Sequence, residues 1–173
     1  PMAQQNPGAC GNAWFVPAHK VVANADEELK SLDKIDPRQI AYVDKRFEDN
    51  LKGVQEGFDS SASIQLVAYQ PNDLKYKTRN TKQSLAIFSE IYYTPGWVAT
   101  IDGKEAPISR ANYVLRALNV PAGAHEIEFK FQPKSYYTGE TIAMASSSLI
   151  LLLFAFALFM EFKNKKGKTE DAA

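Results

Sequence analysis

The sequence reads as a mainly β chain with a short N-terminal α/β part: an antiparallel β-sandwich followed by one transmembrane α-helix. Three observations lead there. From Ser61 onward, apolar and polar residues alternate with period two in short runs closed by turn residues, the pattern of half-buried strands in an antiparallel sandwich. Thr141 to Met160, TIAMASSSLILLLFAFALFM, carries no charge over its 20 residues, enough to cross about 30 Å of hydrocarbon at about 1.5 Å per residue. Between the lead-in and Ser61, one capped helical pattern is set among short apolar runs.

Residues 1–12, with Pro7, Gly8 and Gly11, read as a lead-in loop. Trp14 to Val22 predicts a strand interrupted at Pro17, which favours an edge position. Asn24 with Glu27 three residues on forms a capping-box pair, so a helix is expected from Ala25 to about Leu32 with Leu29 and Leu32 inward. Asp36-Pro37 turns the chain and Gln39 to Val43 is a short strand. Phe47, Leu51, Val54 and Phe58 recur at helical spacing, against which stand Gly53 and Gly57.

Ile64, Leu66 and Ala68 alternate with Gln65, Val67 and Tyr69, and after the turn at Pro71-Asn72-Asp73 the residues Leu74, Tyr76 and Thr78 oppose Lys75, Lys77 and Arg79. Leu85 to Tyr93 is almost continuously apolar, which predicts a central strand buried on both faces. Pro95-Gly96 ends it, Trp97 to Ile101 follows, and Asp102-Gly103 predicts a two-residue hairpin into Lys104 to Ile108. Tyr113 to Val120 is the next strand. Pro121-Ala122-Gly123 turns it into His125 to Gln132, with Ile127, Phe129 and Phe131 on one face and Glu126, Glu128 and Lys130 on the other. A connection of a few residues, Pro133 to Gly139, then leads into the span.

Charge sets the orientation. Lys163, Lys165, Lys166 and Lys168 follow the span, whereas only Lys130 and Lys134 precede it at comparable distance. The positive-inside rule therefore places the C-terminus in the cytoplasm, and Tyr136 and Tyr137 suit the outer interface. The expected layout is a lead-in loop at 1–12, an extracytoplasmic sandwich-like domain at 13–138, a transmembrane helix at 139–161 and a basic cytoplasmic tail at 162–173. Residues 1–20 hold no apolar export signal, so an exported domain implies upstream transmembrane helices of the same chain. The competing layout is a tail-anchored protein with a cytosolic head, which requires the lysine bias to carry no information.

Composition narrows the function classes. Twenty basic residues balance twenty acidic ones, which gives no footing for nucleic acid. Cys10 is the only cysteine, and His19 and His125 lack metal-ligand spacing, so neither an internal disulfide nor a metal or other cofactor is expected.

Three stretches carry a family resemblance: GNAWFV (Gly11 to Val16), NADEELKSLDKIDPRQIAYVD (Asn24 to Asp44), and the run from Tyr92 to Gly139, most specifically Pro95 to Pro121. Together with the final span they resemble the C-terminal part of YfhO-type bacterial membrane proteins. The resemblance implies a large multi-spanning protein of glycosyltransferase-C-like architecture in the bacterial inner (cytoplasmic) membrane. Such a protein adds sugars to cell-envelope polymers from lipid-phosphate-linked donors. The family's catalytic acids usually lie in an early extracytoplasmic loop, so none is carried over to this chain. The alternative is a non-enzymatic, membrane-anchored β-sandwich that binds glycans or a partner protein.

Five residues are candidates for glycan or headgroup contact. Trp97, with Tyr92 and Tyr93, offers aromatic faces on which a pyranose can stack, set against a core role for Trp97 alternating with Ala99 and Ile101. Arg110 and Arg116 can meet a phosphate or lipid headgroup, set against ordinary cross-strand pairing. Asp102 reads as a turn former, Glu126 and Glu128 as a solvated strand face, and His125 as a surface histidine.

Overall fold

The computed structural model describes residue 6 and residues 8–170, and falls into two compact units that meet between Gln132 and Pro133. The first unit is mostly β. Its elements are β1 (Ala13–Val16), β2 (Ala18–Val22), α1 (Ala25–Lys30), a 3-10 turn (Ser31–Lys34), β3 (Ile40–Asp44) and a 3-10 helix (Lys45–Leu51). There follow β4 (Ser63–Gln70), β5 (Asp73–Asn80), β6 (Ser84–Ile91), β7 (Trp97–Ile101), β8 (Lys104–Ala106), β9 (Ser109–Ala111), β10 (Leu115–Val120) and β11 (Gly123–Phe131). Of the lead-in loop expected at 1–12, residues 1–5 and 7 lie outside the described residues.

Two sheets form, with orders β1-β6-β10-β9-β3-β2 and β4-β5-β11-β7-β8. The pairings are antiparallel except β2 with β3, which run parallel. The six-stranded sheet begins and ends on segments separated only by Pro17. Because two trans peptide steps span under about 8 Å, this sheet curls until its edges meet along one stretch of chain. Proline has no N–H to continue a ladder, and here it marks the point where the strand leaves β6 for β3.

The curl encloses one cluster, Val16, Ala41, Val43, Leu85, Ile87, Ala111 and Ala117, with Leu51 from the 3-10 helix. The other face of the same strands packs Ala86, Phe88, Leu118 and Val120 against Leu74, Tyr76, Ala99, Ile127 and Phe129 of the second sheet. Strand β6 therefore contributes alternate residues to both cores, as its continuous apolar run predicts. Strand β5 buries Leu74, Tyr76 and Thr78 and exposes Lys75, Lys77 and Arg79, again as read. The Asp102-Gly103 turn has φ of 51° and 77°. Both residues lie in the left-handed region that a two-residue hairpin requires, and Ile101 pairs with Lys104 across it.

Several expectations are corrected. Helix α1 stops at Lys30, where Ser31 Oγ donates to the Glu27 carbonyl oxygen at 2.8 Å and the chain tightens into a 3-10 turn. Leu29 is 50% exposed, and the inward residue is Glu28, at 0%. The cap itself forms: Glu27 N–H donates to Asn24 Oδ1, and Glu27 Oε2 accepts from Ala23 N–H, both at 3.0 Å. The helical spacing from Phe47 does not continue past Leu51, because Gly53, at φ 84°, turns the chain, and Phe58 ends 81% exposed. The strand expected over Lys104 to Ile108 ends at Ala106, before Pro107, as β8, and a separate strand, β9, starts at Ser109 in the other sheet. Strand β10 begins at Leu115 because Asn112 and Tyr113 hold φ of 50° and 71°.

The second unit contains α2 (Lys134–Glu170), of which Lys134–Glu161 is long and apolar enough to cross a membrane. The expected connection from Pro133 to Gly139 is thus helical from Lys134 onward, following a proline that suits a helix start. Thr141, Ser146 and Ser148 each donate to the carbonyl four residues earlier, at 2.8–2.9 Å, so these hydroxyls are satisfied inside the helix. The tail lysines fall on its last turns, and residues 171–173 lie outside the described residues.

Candidate functional site

Strands β9 and β10 set Arg110 opposite Arg116, and directly opposed residues share a face of the sheet. The two arginines nevertheless serve different surroundings. Arg110 Nη2 reaches Glu28 Oε2 at 2.7 Å and Asp44 Oδ2 at 3.5 Å. Both carboxylates are buried, and Asp44 also pairs with Arg46 at 3.0 Å. The hydrogen bond from Arg46 and the charge of Arg110 hold the Asp44 carboxyl below the ordinary range despite burial. The other Glu28 oxygen accepts from Tyr113 N–H at 2.9 Å. Asn112 is fixed by Tyr42, through the Asn112 N–H to the Tyr42 carbonyl oxygen at 2.8 Å and the Tyr42 N–H to Asn112 Oδ1 at 2.9 Å. Glu28 and Asn112 together hold two consecutive non-glycine residues in the left-handed region, where strain is stored. Arg110 is therefore consumed by internal ion pairing.

Arg116 has a different setting. It follows the register irregularity in β10 and is 3% exposed. Its guanidinium lies 4.0 Å from the centroid of the Trp97 ring and 5.4 Å from that of Phe129. Nε–H donates to the Ile91 carbonyl oxygen at 3.0 Å. Nη1 is buried with no hydrogen-bond partner among the described residues, and no ion pair to a carboxylate forms within 4.0 Å. Burial pushes its pKa below the ordinary arginine value, and burial likewise raises the neighbouring Tyr76 phenol to about 12. Arg116 and Trp97 line an open cleft of about 400 Å³ together with Asn72, Glu90, Ile91, Tyr93 and Phe131.

Of the candidate residues, the fold thus brings Trp97, Tyr93 and Arg116 to one cleft. Trp97 is half-buried, packs on Phe131 with ring centroids 5.4 Å apart, and has one face taken by Arg116. The most accessible aromatic surface at the cleft is Tyr93, 55% exposed. Tyr92 packs edge-on against Phe47 at 5.4 Å and lines, with Tyr93, Trp97, Glu105 and Pro107, a smaller cleft of about 130 Å³. The acids read as structural are engaged. Glu126 pairs with Lys77 at 3.4 Å, and Glu128 with Lys75 and Lys130 at 2.9 Å each. Glu28, Asp44 and Glu90 escaped the sequence reading. Glu28 stands in the acidic run DEE, where only the tertiary partner distinguishes it from Glu27.

His125 is more than a surface residue. Its Nδ1 lies 2.6 Å from Asp102 Oδ2, and Asp102 Oδ1 accepts from Glu126 N–H at 2.9 Å, which clasps the β7–β8 hairpin to β11. The Asp102 carboxylate raises the His125 pKa above 6.5. The backbone N–H of Glu126, and then His125, lower that of Asp102 below 3.8. A raised histidine stabilises fully below its unfolded value and loses that effect as pH rises through the folded one. A lowered carboxyl stabilises above its unfolded value and loses that effect in acid. The clasp should therefore stabilise most between about pH 4 and 6.5. The unfolding midpoint of the full chain in uncharged micelles is expected to fall as pH rises above about 6.5, and His125→Gln should flatten that fall. An identical pH profile in the variant would count against the clasp.

A β-rich domain joined to an apolar helix of spanning length defines a membrane-protein class. The family model described as "Bacterial membrane protein YfhO" matches residues 46–143, more than half of the 173 residues, and the chain belongs to that family. No curated protein and no solved structure matches it.

Proposed function

We propose that this chain is the C-terminal accessory domain and last membrane span of a polytopic bacterial inner-membrane protein. In this reading the parent transfers sugar from lipid-phosphate-linked donors to cell-envelope glycopolymers. The β domain is extracytoplasmic, the C-terminus is cytoplasmic, and upstream transmembrane helices of the same chain hold the catalytic acids. The observation that carries the reading is the cleft at the end of the sandwich, which combines aromatic surface at Tyr93 and Trp97 with a buried cation at Arg116. Aromatic faces suit sugar rings and a guanidinium suits phosphate. The engagement of Asp102, Glu126 and Glu128 in ion pairs supports a binding rather than a catalytic role for the domain. The lysines after the span support the orientation.

Transfer from a lipid-phosphate-linked sugar is the test. Membranes containing the full parent should turn over and this chain alone should not. Turnover by this chain alone would defeat the accessory role, and no turnover by the parent would defeat the transferase reading. The second reading, an anchored glycan or partner binder, is favoured by the exposure of Ile91 and Tyr93 at the cleft, 71% and 55%. It predicts a signal peptide in place of multiple upstream spans.

A further inference from the structure

We propose that Arg116 anchors an anion-binding site, and that the cleft it lines takes a phosphate ester carried on a lipid or on a sugar. The inference starts from an imbalance. A charge removed from water is normally paired, because the cost of desolvating it is otherwise uncompensated. Arg116 is 3% exposed, yet it has one hydrogen bond, to the Ile91 carbonyl, and two aromatic neighbours. Arg110, opposite it in the register, has two carboxylates. The same strand pair therefore holds one arginine in direct contact with two carboxylates and one with none within 4.0 Å, on which Glu90 acts only through its charge at longer range.

Geometry fits the role. Trp97 against the guanidinium face and the Ile91 carbonyl on Nε fix its plane. Nη1 is sealed from solvent, which leaves Nη2 as the terminal nitrogen for a charge-assisted contact with a phosphate or carboxylate oxygen. Asn72 and Tyr93 add neutral donors at the cleft. Glu90 lines it too and opposes an anion, so its charge should weaken binding.

Phosphate is favoured over a free carboxylate by what the chain brings near. Phe131 lines the cleft and stands three residues before Lys134, the first residue of the apolar helix. The chain carries an apolar helix of spanning length, so phosphate esters of a bilayer are the abundant anions on hand. The site does not depend on the transferase reading, since a lipid phosphate without a sugar would occupy it equally.

The test uses the full chain in uncharged micelles, titrated calorimetrically with a soluble sugar 1-phosphate and, separately, with short-chain phosphatidic acid. The unphosphorylated sugar and phosphatidylcholine serve as controls. Saturable binding is expected for at least one phosphate monoester and for neither control. Arg116→Gln and Arg116→Lys should each weaken it at least about tenfold, and Glu90→Gln should tighten it about two- to threefold. Binding of the sugar phosphate alone, of the lipid alone, or of both supports the proposal and identifies the source. No binding of either phosphate by the wild type, or binding unchanged in a folded Arg116→Gln, overturns it. Arg116 would then be a packing cation on Trp97. Should the Arg116 variants fail to fold, Glu90→Gln decides: it leaves the Arg116–Trp97 stack in place, and binding no tighter than wild type overturns the proposal. Because no turnover is measured, failure here is distinct from failure of the transfer assay.

Discussion

Glu28→Ala should cost about 3–5 kcal/mol of β-domain stability, the range for breaking one side of a buried ion pair. The side chain is 0% exposed and meets Arg110 Nη2 at 2.7 Å and Tyr113 N–H at 2.9 Å. Alanine leaves Arg110 leaning on Asp44 alone at 3.5 Å, an oxygen already shared with Arg46. It also releases one of the tethers on the left-handed pair Asn112-Tyr113. A domain is stable by about 5–15 kcal/mol in total, so the loss is a large share. Denaturant unfolding of the full chain in micelles measures it. Glu28→Gln should fall between wild type and alanine, because an amide oxygen can still accept from Tyr113 N–H. Hydrogen exchange at the Tyr113 amide should accelerate in both variants. A loss below about 1 kcal/mol, with unchanged exchange, would show that the pair is not structural.

Phe88→Ala should destabilise the domain by a similar amount, about 3–5 kcal/mol, through a different mechanism. Phe88 is 0% exposed and sits edge-on to Tyr76 at 5.0 Å and to Phe129 at 4.9 Å. Tyr76 and Phe129 complete the triangle at 6.0 Å. The three rings come from β6, β5 and β11, so they join the two sheets. Alanine removes both edge-to-face contacts and leaves a cavity that neighbours on two rigid sheets cannot close. Phe88→Leu should cost less, because most of the apolar volume is kept. The same unfolding measurement separates the two variants, and equal losses would argue that ring geometry is irrelevant there.

The sequence exposes what local periodicity determines and hides what distant partners determine. The alternation in β5, the double burial of β6 and the hairpin at Asp102-Gly103 are each written in a few adjacent residues. The inward choice of Glu28 over Leu29 is not, because it follows from Arg110, 82 residues away. The division at Pro107 is legible as a break, but not as a change of sheet. The parallel pairing of β2 with β3 leaves no mark in either segment. For the cleft, Arg116 is conspicuous as a lone charge inside the apolar run YVLRALNV. Arg110 looks equally available in sequence, and only the fold shows that Glu28 and Asp44 have claimed it.

The meeting of β1 and β2 at Pro17 also bears on how the domain behaves among crowded neighbours. A sheet edge offers unpaired N–H and C=O groups on which foreign strands can grow. In the six-stranded sheet the two border strands, β1 and β2, are four and five residues long and run on from one another at Pro17. The five-stranded sheet ends on β8, three residues long, and on β4, whose register shifts between Leu66 and Ala68. Short and irregular borders template poorly. A protein concentrated in the two dimensions of a membrane meets its own copies often, and this one presents them with little on which to build an intermolecular sheet.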